Sequence, residues 1–312
     1  MDMTPGRPLT ACVTGASGMI GRRIVERLLA RGYLVRALSR GRYTNPKTQL
    51  FKAGLSDESG LNRFIDAADM MFHCAAELND ASKMREVNVH GTERIVKLIR
   101  QHRIRYFCHI SSAGVVGRTS ETLVDETTPC NPQNAYERSK WEAEQVAVGE
   151  IAGCSTVILR PTNVIDEKRL GALSLPASGA FKSKLKAFVT GGECAHIVHA
   201  EDVADAAIYF IDRPAQKPRV FFVSCDDDPL NTVAGLWSLY QALANGRDGT
   251  DVTPIARLPL AIPYFIRMLW RGGGNRGDVK YSSRRLITEG FKFPLGITEA
   301  VRKVIQDRRE AQ

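Results

Sequence analysis

The sequence predicts an α/β fold: a doubly wound parallel sheet with a smaller C-terminal lobe. Three observations carry that expectation. Short apolar runs alternate with helix-like stretches through the first 160 residues, the signature of a parallel sheet covered by helices on both faces. The first run, Leu9-Thr10-Ala11-Cys12-Val13, leads directly into Thr14-Gly15-Ala16-Ser17-Gly18-Met19-Ile20-Gly21. Beyond this turn, Ile20, Ile24 and Leu28 recur every four residues among Arg22, Arg23, Glu26 and Arg27, one apolar stripe on a helix that Gly32 would end.

Strands are expected at 9–14, 33–39, roughly 50–52, 69–74, 104–110 and 154–159, each a short run rich in apolar residues. Helices are expected at 19–31, 58–67, 83–101, 134–149 and 201–213. In the third of these, Met84, Val87, Gly91, Ile95 and Leu98 share a face. After Pro161 the pattern loosens. Residues 164–195 have no clean period, Val220-Phe221-Phe222-Val223 is strand-like, and the chain from Asp226 onward is irregular. The apolar run 258–270 holds two prolines and an arginine and is too short to span a bilayer. It is expected to cover a substrate pocket or join the core, ahead of an interfacial helix.

The glycine turn sets the chemistry. Glycine serves where backbone turns with positive φ or approaches a ligand without a Cβ between. The first turn of the following helix has unpaired N–H groups and partial positive charge, which suits a pyrophosphate. The spacing is G-x-x-G-x-x-G, not the literal G-x-G-x-x-G fingerprint, but the strand before and helix after support a dinucleotide site. A P-loop is excluded because no G-K-[ST] follows Gly21.

A second signal is Tyr136-Glu137-Arg138-Ser139-Lys140, on a helix whose start Pro132 and Asn134 mark. Positions i and i+4 share a face, so phenol and ammonium reach one site. A neighbouring cation favours phenolate, which makes Tyr136 a candidate acid/base. Ser111-Ser112 closes the strand 104–110, where a hydroxyl can hold a substrate carbonyl. His73 and His109 lie inside strands and are expected to be satisfied core residues. No serine–histidine–carboxylate order suggests a hydrolase.

In this fixed order, the glycine turn, the serine pair and Tyr-x-x-x-Lys resemble the extended short-chain dehydrogenase/reductase family, also called the NAD-dependent epimerase/dehydratase family. The resemblance extends through His73-Cys74-Ala75-Ala76, Asn88-Val89-His90-Gly91-Thr92, Leu159-Arg160-Pro161 and His199-Ala200-Glu201-Asp202-Val203-Ala204, covering about residues 8–225. It implies a Rossmann domain at 1–163 and 196–226 and a substrate-binding lobe at 164–195 and 227–312. It implies Tyr136 as catalytic acid/base, Lys140 on the nicotinamide ribose, and Ser112 orienting the substrate oxygen. Gly15, Ser17, Gly18, Met19, Ile20 and Gly21 would hold the pyrophosphate, Ala75 and Ala76 would line the cofactor cleft with Asn88 and Ser111, and Pro161, Asn163 and Val164 would border the nicotinamide. The chain departs from the family twice. Where an acidic residue often ends the second strand, this chain has Leu38-Ser39-Arg40-Gly41-Arg42, so NADP(H) is expected ahead of NAD(H), with Arg40 on the 2′-phosphate and Arg42 as helper. Where Gly-Asp-Leu often follows the third strand, it has Ala53-Gly54-Leu55, leaving adenine to Leu55.

Substrate expectations follow from the family and the charge. The first is a nucleotide sugar, by 4-keto reduction or epimerisation through hydride transfer. The second is an apolar ketone or alcohol of steroid or phenolic type. A non-enzymatic NADP(H)-sensing protein is the expectation from another class. A dehydratase is disfavoured because Gly114 and Val115 supply no acid/base pair after the serine. A homodimer is implied by resemblance alone.

Bulk properties set the outer limits. At 312 residues the chain is long enough for one large domain with a substantial addition, and 44% hydrophobic with 25% charged residues suits a globular protein. The net charge of +9 is compatible with anionic ligands, but the basic residues are dispersed, so nucleic acid is not an expected partner. The seven scattered cysteines include no C-x-x-C pair, which argues against a zinc site or disulfide framework. A strand beginning by Leu9 leaves no room for a signal peptide, and a cytoplasmic location is the expectation.

Overall fold

The computed structural model describes residues 7–41, 43, 45–250, 252, 255–271 and 275–310. Its strands are β1 (Thr10–Thr14), β2 (Leu34–Leu38), β3 (Gln49–Phe51), β4 (Met70–His73), β5 (Tyr106–Ile110), β6 (Leu123–Val124), β7 (Ser155–Pro161), β8 (Asn163–Ile165), β9 (Ile197–His199), β10 (Arg219–Val223) and β11 (Lys280–Tyr281). Seven form the central sheet in the order β10-β7-β5-β4-β1-β2-β3. The pairs from β3 through β7 run parallel, with Val13 opposite Ala37 on one side and Phe72 on the other. The chain starts at mid-sheet, winds to β3, then returns past β1 to β4. The order therefore reverses between β1 and β4, and a crevice opens at the carboxyl ends there.

Two compact units divide the chain. The first comprises Met1–Val115, Pro132–Arg160 and Val203–Phe221; the second, Val116–Asn131, Pro161–Asp202 and Phe222–Gln312. These limits differ from the division expected from sequence. The excursion Val116–Asn131 groups with the C-terminal segments because β6 pairs in parallel with β11, an attachment between residues about 150 positions apart that no local pattern reveals.

In the first unit, the helices Glu58–Ile65, Gly91–His102 and Ala135–Ala147 seal one side of the sheet. Cys12, Phe64, Ile95, Phe107 and Ile158 meet there in a fully buried cluster. Helix Met19–Ala30 buries Gly21, Ile24, Val25 and Leu28, as the stripe requires, while Arg22, Arg23 and Arg27 are half-buried and Arg27 Nε donates to Asp205 at 2.8 Å. Gly32 N–H then donates to the carbonyl of Leu29 as the chain turns into β2.

The expected helix 83–101 is not continuous α-helix. It is α over Ala81–Met84, π over Arg85–His90 and α again over Gly91–His102. Thr92 Oγ1 donates to the Asn88 carbonyl at 2.6 Å, taking an acceptor from the helical ladder. Single π turns of this kind often mark functional sites.

In the second unit, β8 pairs in parallel with β9, and the helices Val233–Ala244 and Gly296–Glu310 carry its core through Leu236, Leu239, Val301 and Val304. The run 258–270 forms a helix, Ala261–Arg271, but the core expectation fails for it. Ile262, Phe265, Met268 and Leu269 are exposed, and the buried Pro263 faces inward instead. No helix among the described residues is long and apolar enough to cross a membrane.

Candidate active site

The crevice at β1 and β4 is built by close backbone approach. Gly15 has φ +64°, and a Cβ on it would lie 2.7 Å from the amide nitrogen of Ala75. A side chain at Gly21 would run into the carbonyl of Gly15, so turn and helix touch through backbone alone. Thr14 straps the two strand ends together: its Oγ1 accepts from the amides of Cys74 at 3.2 Å and Ala75 at 3.3 Å. Gly18 caps the helix Met19–Ala30 without a side-chain hydrogen bond, and the first turn holds no acidic residue. Helix-start N–H groups are thus presented to an anion with no carboxylate competing. Ser17 and Gly18 are exposed, and Met19 and Ile20 are half-buried. This cradle fits the pyrophosphate of a dinucleotide.

The other expected cofactor contacts are placed as follows. Arg40 is exposed two residues beyond β2, with its aliphatic stem passing Gly54, where a Cβ would be 3.7 Å from Arg40 Cδ. Arg42 lies outside the described residues. Leu55 turns into the core, packing on Gly91, and its carbonyl accepts from Arg94 Nη1 at 3.3 Å. Ala75 and Ala76 are half-buried just after β4. Asn88 is buried and acts as a clamp: its Nδ2 donates to Ser139 Oγ at 2.9 Å and the Glu77 carbonyl at 3.1 Å, while its Oδ1 accepts from the Glu77 amide at 2.7 Å. Pro161, Asn163 and Val164 belong to the second unit, where Asn163 N–H donates to the His196 carbonyl and Asn163 Nδ2 to the Ala195 carbonyl.

The helix Ala135–Ala147 carries the pair expected to be reactive, Tyr136 and Lys140. Asn134 caps it, accepting from the Glu137 amide at 2.9 Å, which fixes where Tyr136 emerges. Tyr136 is half-buried, and its carbonyl accepts from Ser139 Oγ at 2.8 Å, the same hydroxyl that Asn88 holds. One turn on, Lys140 is 3% exposed, and its Nζ donates to the Ile110 carbonyl at 2.6 Å. Burial lowers this ammonium from the ordinary lysine range to about 8, against the opposing pull of Glu144.

One further turn along the same face is Glu144, which sequence reasoning missed. Its carboxylate accepts from Ser111 Oγ at 2.6 Å and from Arg160 Nη2 at 2.6 Å, all three side chains being buried. Lys140 thus grips residue 110 and Glu144 grips residue 111, so the helix pins the end of β5 at two successive positions. Ser111, expected to face the cofactor, gives its hydroxyl to Glu144. Ser112, the next residue, is half-exposed, and its Oγ accepts a turn contact from the Gly114 amide at 3.1 Å. The i, i+4, i+8 spacing of Tyr136, Lys140 and Glu144 was the available signal.

Two buried histidines lie beneath this face. His73 is satisfied, with Nδ1 2.7 Å from Thr14 Oγ1 and Nε2 3.1 Å from Thr92 Oγ1. His109 corrects the expectation of a satisfied core residue: neither of its ring nitrogens has a hydrogen-bond partner among the described residues. Burial pushes His73 down to about 3 and His109 down as well, with the Lys140 charge acting in the same direction. Both rings are therefore neutral when folded and take up protons on unfolding once pH falls below the ordinary histidine value. The unfolded chain then binds more protons, and stability falls from about pH 6.5 toward pH 3. His109→Leu removes an unpaired buried imidazole and should raise the urea midpoint at neutral pH while flattening this acid loss. A lower midpoint with an unchanged acid slope would contradict it.

The arrangement offers free helix-start N–H groups at the glycine turn, sets Tyr136 one turn from the desolvated Lys140, and leaves the Ser112 hydroxyl half-exposed just beyond β5. A model of the NAD dependent epimerase/dehydratase family matches residues 11–224. The chain spans about half the length of the first curated relatives it matches. One of these, the sterol-4-alpha-carboxylate 3-dehydrogenase, decarboxylating, of Dictyostelium discoideum, is 31% identical over 47% of this chain and 51% of that protein. A dihydroflavonol 4-reductase of Arabidopsis thaliana is 28% identical over 96% of this chain and 82% of the relative. Among solved structures, UDP-glucose 4-epimerase from Thermotoga maritima, with UDP-glucose, has TM-score 0.73 at 19% identity, covering 97% of this chain and 99% of that one.

Proposed function

We propose that this chain, which belongs to the NAD dependent epimerase/dehydratase family, is an NADP(H)-preferring oxidoreductase that interconverts a small-molecule carbonyl and its alcohol. The observation that supports this reading most is Lys140, buried one turn from Tyr136 and anchored to the end of β5 beside the serine pair. When bound, a nicotinamide dinucleotide supplies or accepts the hydride. Gly15, Gly18 and the helix start would bind its pyrophosphate. Ser112 Oγ would hold the substrate oxygen, and Tyr136 would donate its phenolic proton to that oxygen in reduction or take it in oxidation. Lys140 would stabilise the phenolate left behind and hydrogen-bond a ribose hydroxyl.

The substrate reading is an apolar ketone or alcohol. Its support is the dihydroflavonol 4-reductase, which aligns with nearly the whole chain, alongside a sterol dehydrogenase. Nucleotide-sugar 4-keto reduction or epimerisation is the second reading, supported by the net charge of +9, which suits a diphosphate. A homodimer in the cytoplasm completes the proposal. The test follows NADPH oxidation with flavanone-type and steroid ketones and with UDP-4-keto sugars, and separates UDP-hexose epimers by chromatography, because epimerisation consumes no dinucleotide. Turnover of apolar ketones supports the first reading; turnover of UDP-sugars alone replaces it with the second.

Arg40 underlies the NADP(H) preference. A guanidinium–phosphate contact contributes about 1.5–3 kcal/mol, so Arg40→Ala should lower kcat/KM with NADPH roughly 10- to 100-fold and leave NADH almost unchanged. Steady-state kinetics with both dinucleotides checks this; a variant that loses NADH and NADPH activity equally would refute the assignment.

A further inference from the structure

We propose that two adjoining helices of the second unit, Phe181–Thr190 and Ala261–Arg271, form a docking surface for an anionic lipid membrane. A helix on a globular domain ordinarily turns its apolar stripe inward. These two do the reverse. In the first, Phe181, Leu185 and Phe188 recur at i, i+4 and i+7 and are all exposed, Phe181 by 80%; Ala187 is the one buried position on that helix. In the second, Ile262, Phe265 and Leu269 recur at i, i+3 and i+7 and are likewise exposed, Leu269 by 81%. The stripes adjoin: Leu258 N–H donates to the Phe188 carbonyl at 3.0 Å just before the second helix, and the side chain of Leu260 lies against Gly192 just after the first.

Charge selects the occupant. Segments 168–192 and 252–277 contain nine lysines and arginines and no aspartate or glutamate, as many positive charges as the net excess of the whole chain. Lys182, Lys184 and Lys186 alternate with the apolar stripe of the first helix and are exposed. An apolar face rimmed with lysine matches the boundary between acyl chains and anionic headgroups. A second copy of this chain would set these like charges against each other, which disfavours self-association through the same face. Neither helix is long enough to cross a bilayer, so the contact is interfacial. This inference stands whether or not the proposed substrate is correct.

The test is sedimentation of the full chain with vesicles of phosphatidylcholine alone and of phosphatidylcholine with phosphatidylglycerol. Three lysines near an anionic surface, each worth about fivefold, predict roughly hundredfold stronger partitioning to the anionic vesicles, weakened by salt. Phe181→Glu with Leu269→Glu should abolish it. Both residues are already in solvent, so unfolding temperature and NADPH binding should be retained, and these serve as the folding control. Failure to sediment, equal binding to both vesicles, or variants that bind like the parent would each overturn the proposal. Self-association abolished by the same substitutions would also overturn it, assigning the face to a second copy.

Discussion

Tyr136→Phe lowers kcat by about 10²–10⁴-fold and leaves NADPH affinity unchanged. The substitution keeps the ring, its packing and the Asn134 cap that sets its position, and removes only the proton donor. The Ser139 bond to the residue 136 carbonyl is made by backbone and survives. The loss should therefore fall on kcat rather than on the dissociation constant for the dinucleotide, whose proposed cradle is the first glycine turn. Stopped-flow turnover together with a fluorescence titration of NADPH separates the two. Unchanged turnover with intact binding would remove Tyr136 from the chemistry.

Glu144→Ala destabilises the fold by about 3–5 kcal/mol. Removal of this carboxylate leaves the Arg160 guanidinium buried without its charge partner, and frees the Ser111 hydroxyl inside the same site. The side chains of Arg160 and Glu144 are 5% and 2% exposed, so water cannot take the carboxylate's place. Urea unfolding should show the full loss in the single variant. The double variant Glu144→Leu, Arg160→Met should recover much of it, because two apolar groups of similar size leave no unpaired charge. A single variant within about 0.5 kcal/mol of the parent, the usual range for a surface change, would mean the pair is dispensable. The single variant should also lose turnover beyond its loss of stability, since Glu144 holds the residue before Ser112.

The legible parts of the sequence were those governed by period. Each central-sheet strand among β1–β5 and β7 falls within a residue or two of its expected limits, because buried runs such as Met70-Met71-Phe72 have no polar interruption. The glycine turn was legible because strand, turn and helix stand in direct succession. The network beneath the reactive pair was not. Glu144 and Arg160 look like ordinary polar residues until the fold brings a helix face against the end of a strand 33 residues earlier. The π turn at Arg85–His90 left no mark on the apolar spacing, since it depends on the Thr92 hydroxyl and the Asn88 clamp. The second unit was hardest to read. Its apolar run 258–270 carries a helical period, and period alone cannot tell a stripe that faces a core from one that faces outward.

The central claim is that the chain moves hydride between a dinucleotide and a carbonyl carbon, with the proton coming from its own tyrosine. The most direct measurement uses NADPH deuterated at the transferring C4 position and mass spectrometry of the alcohol produced. This account predicts one deuterium on the carbinol carbon of the alcohol made by the parent chain, and the same labelling formed about 10²–10⁴-fold more slowly by Tyr136→Phe. An alcohol formed without deuterium, or a dinucleotide that binds and never gives up its label, would contradict it.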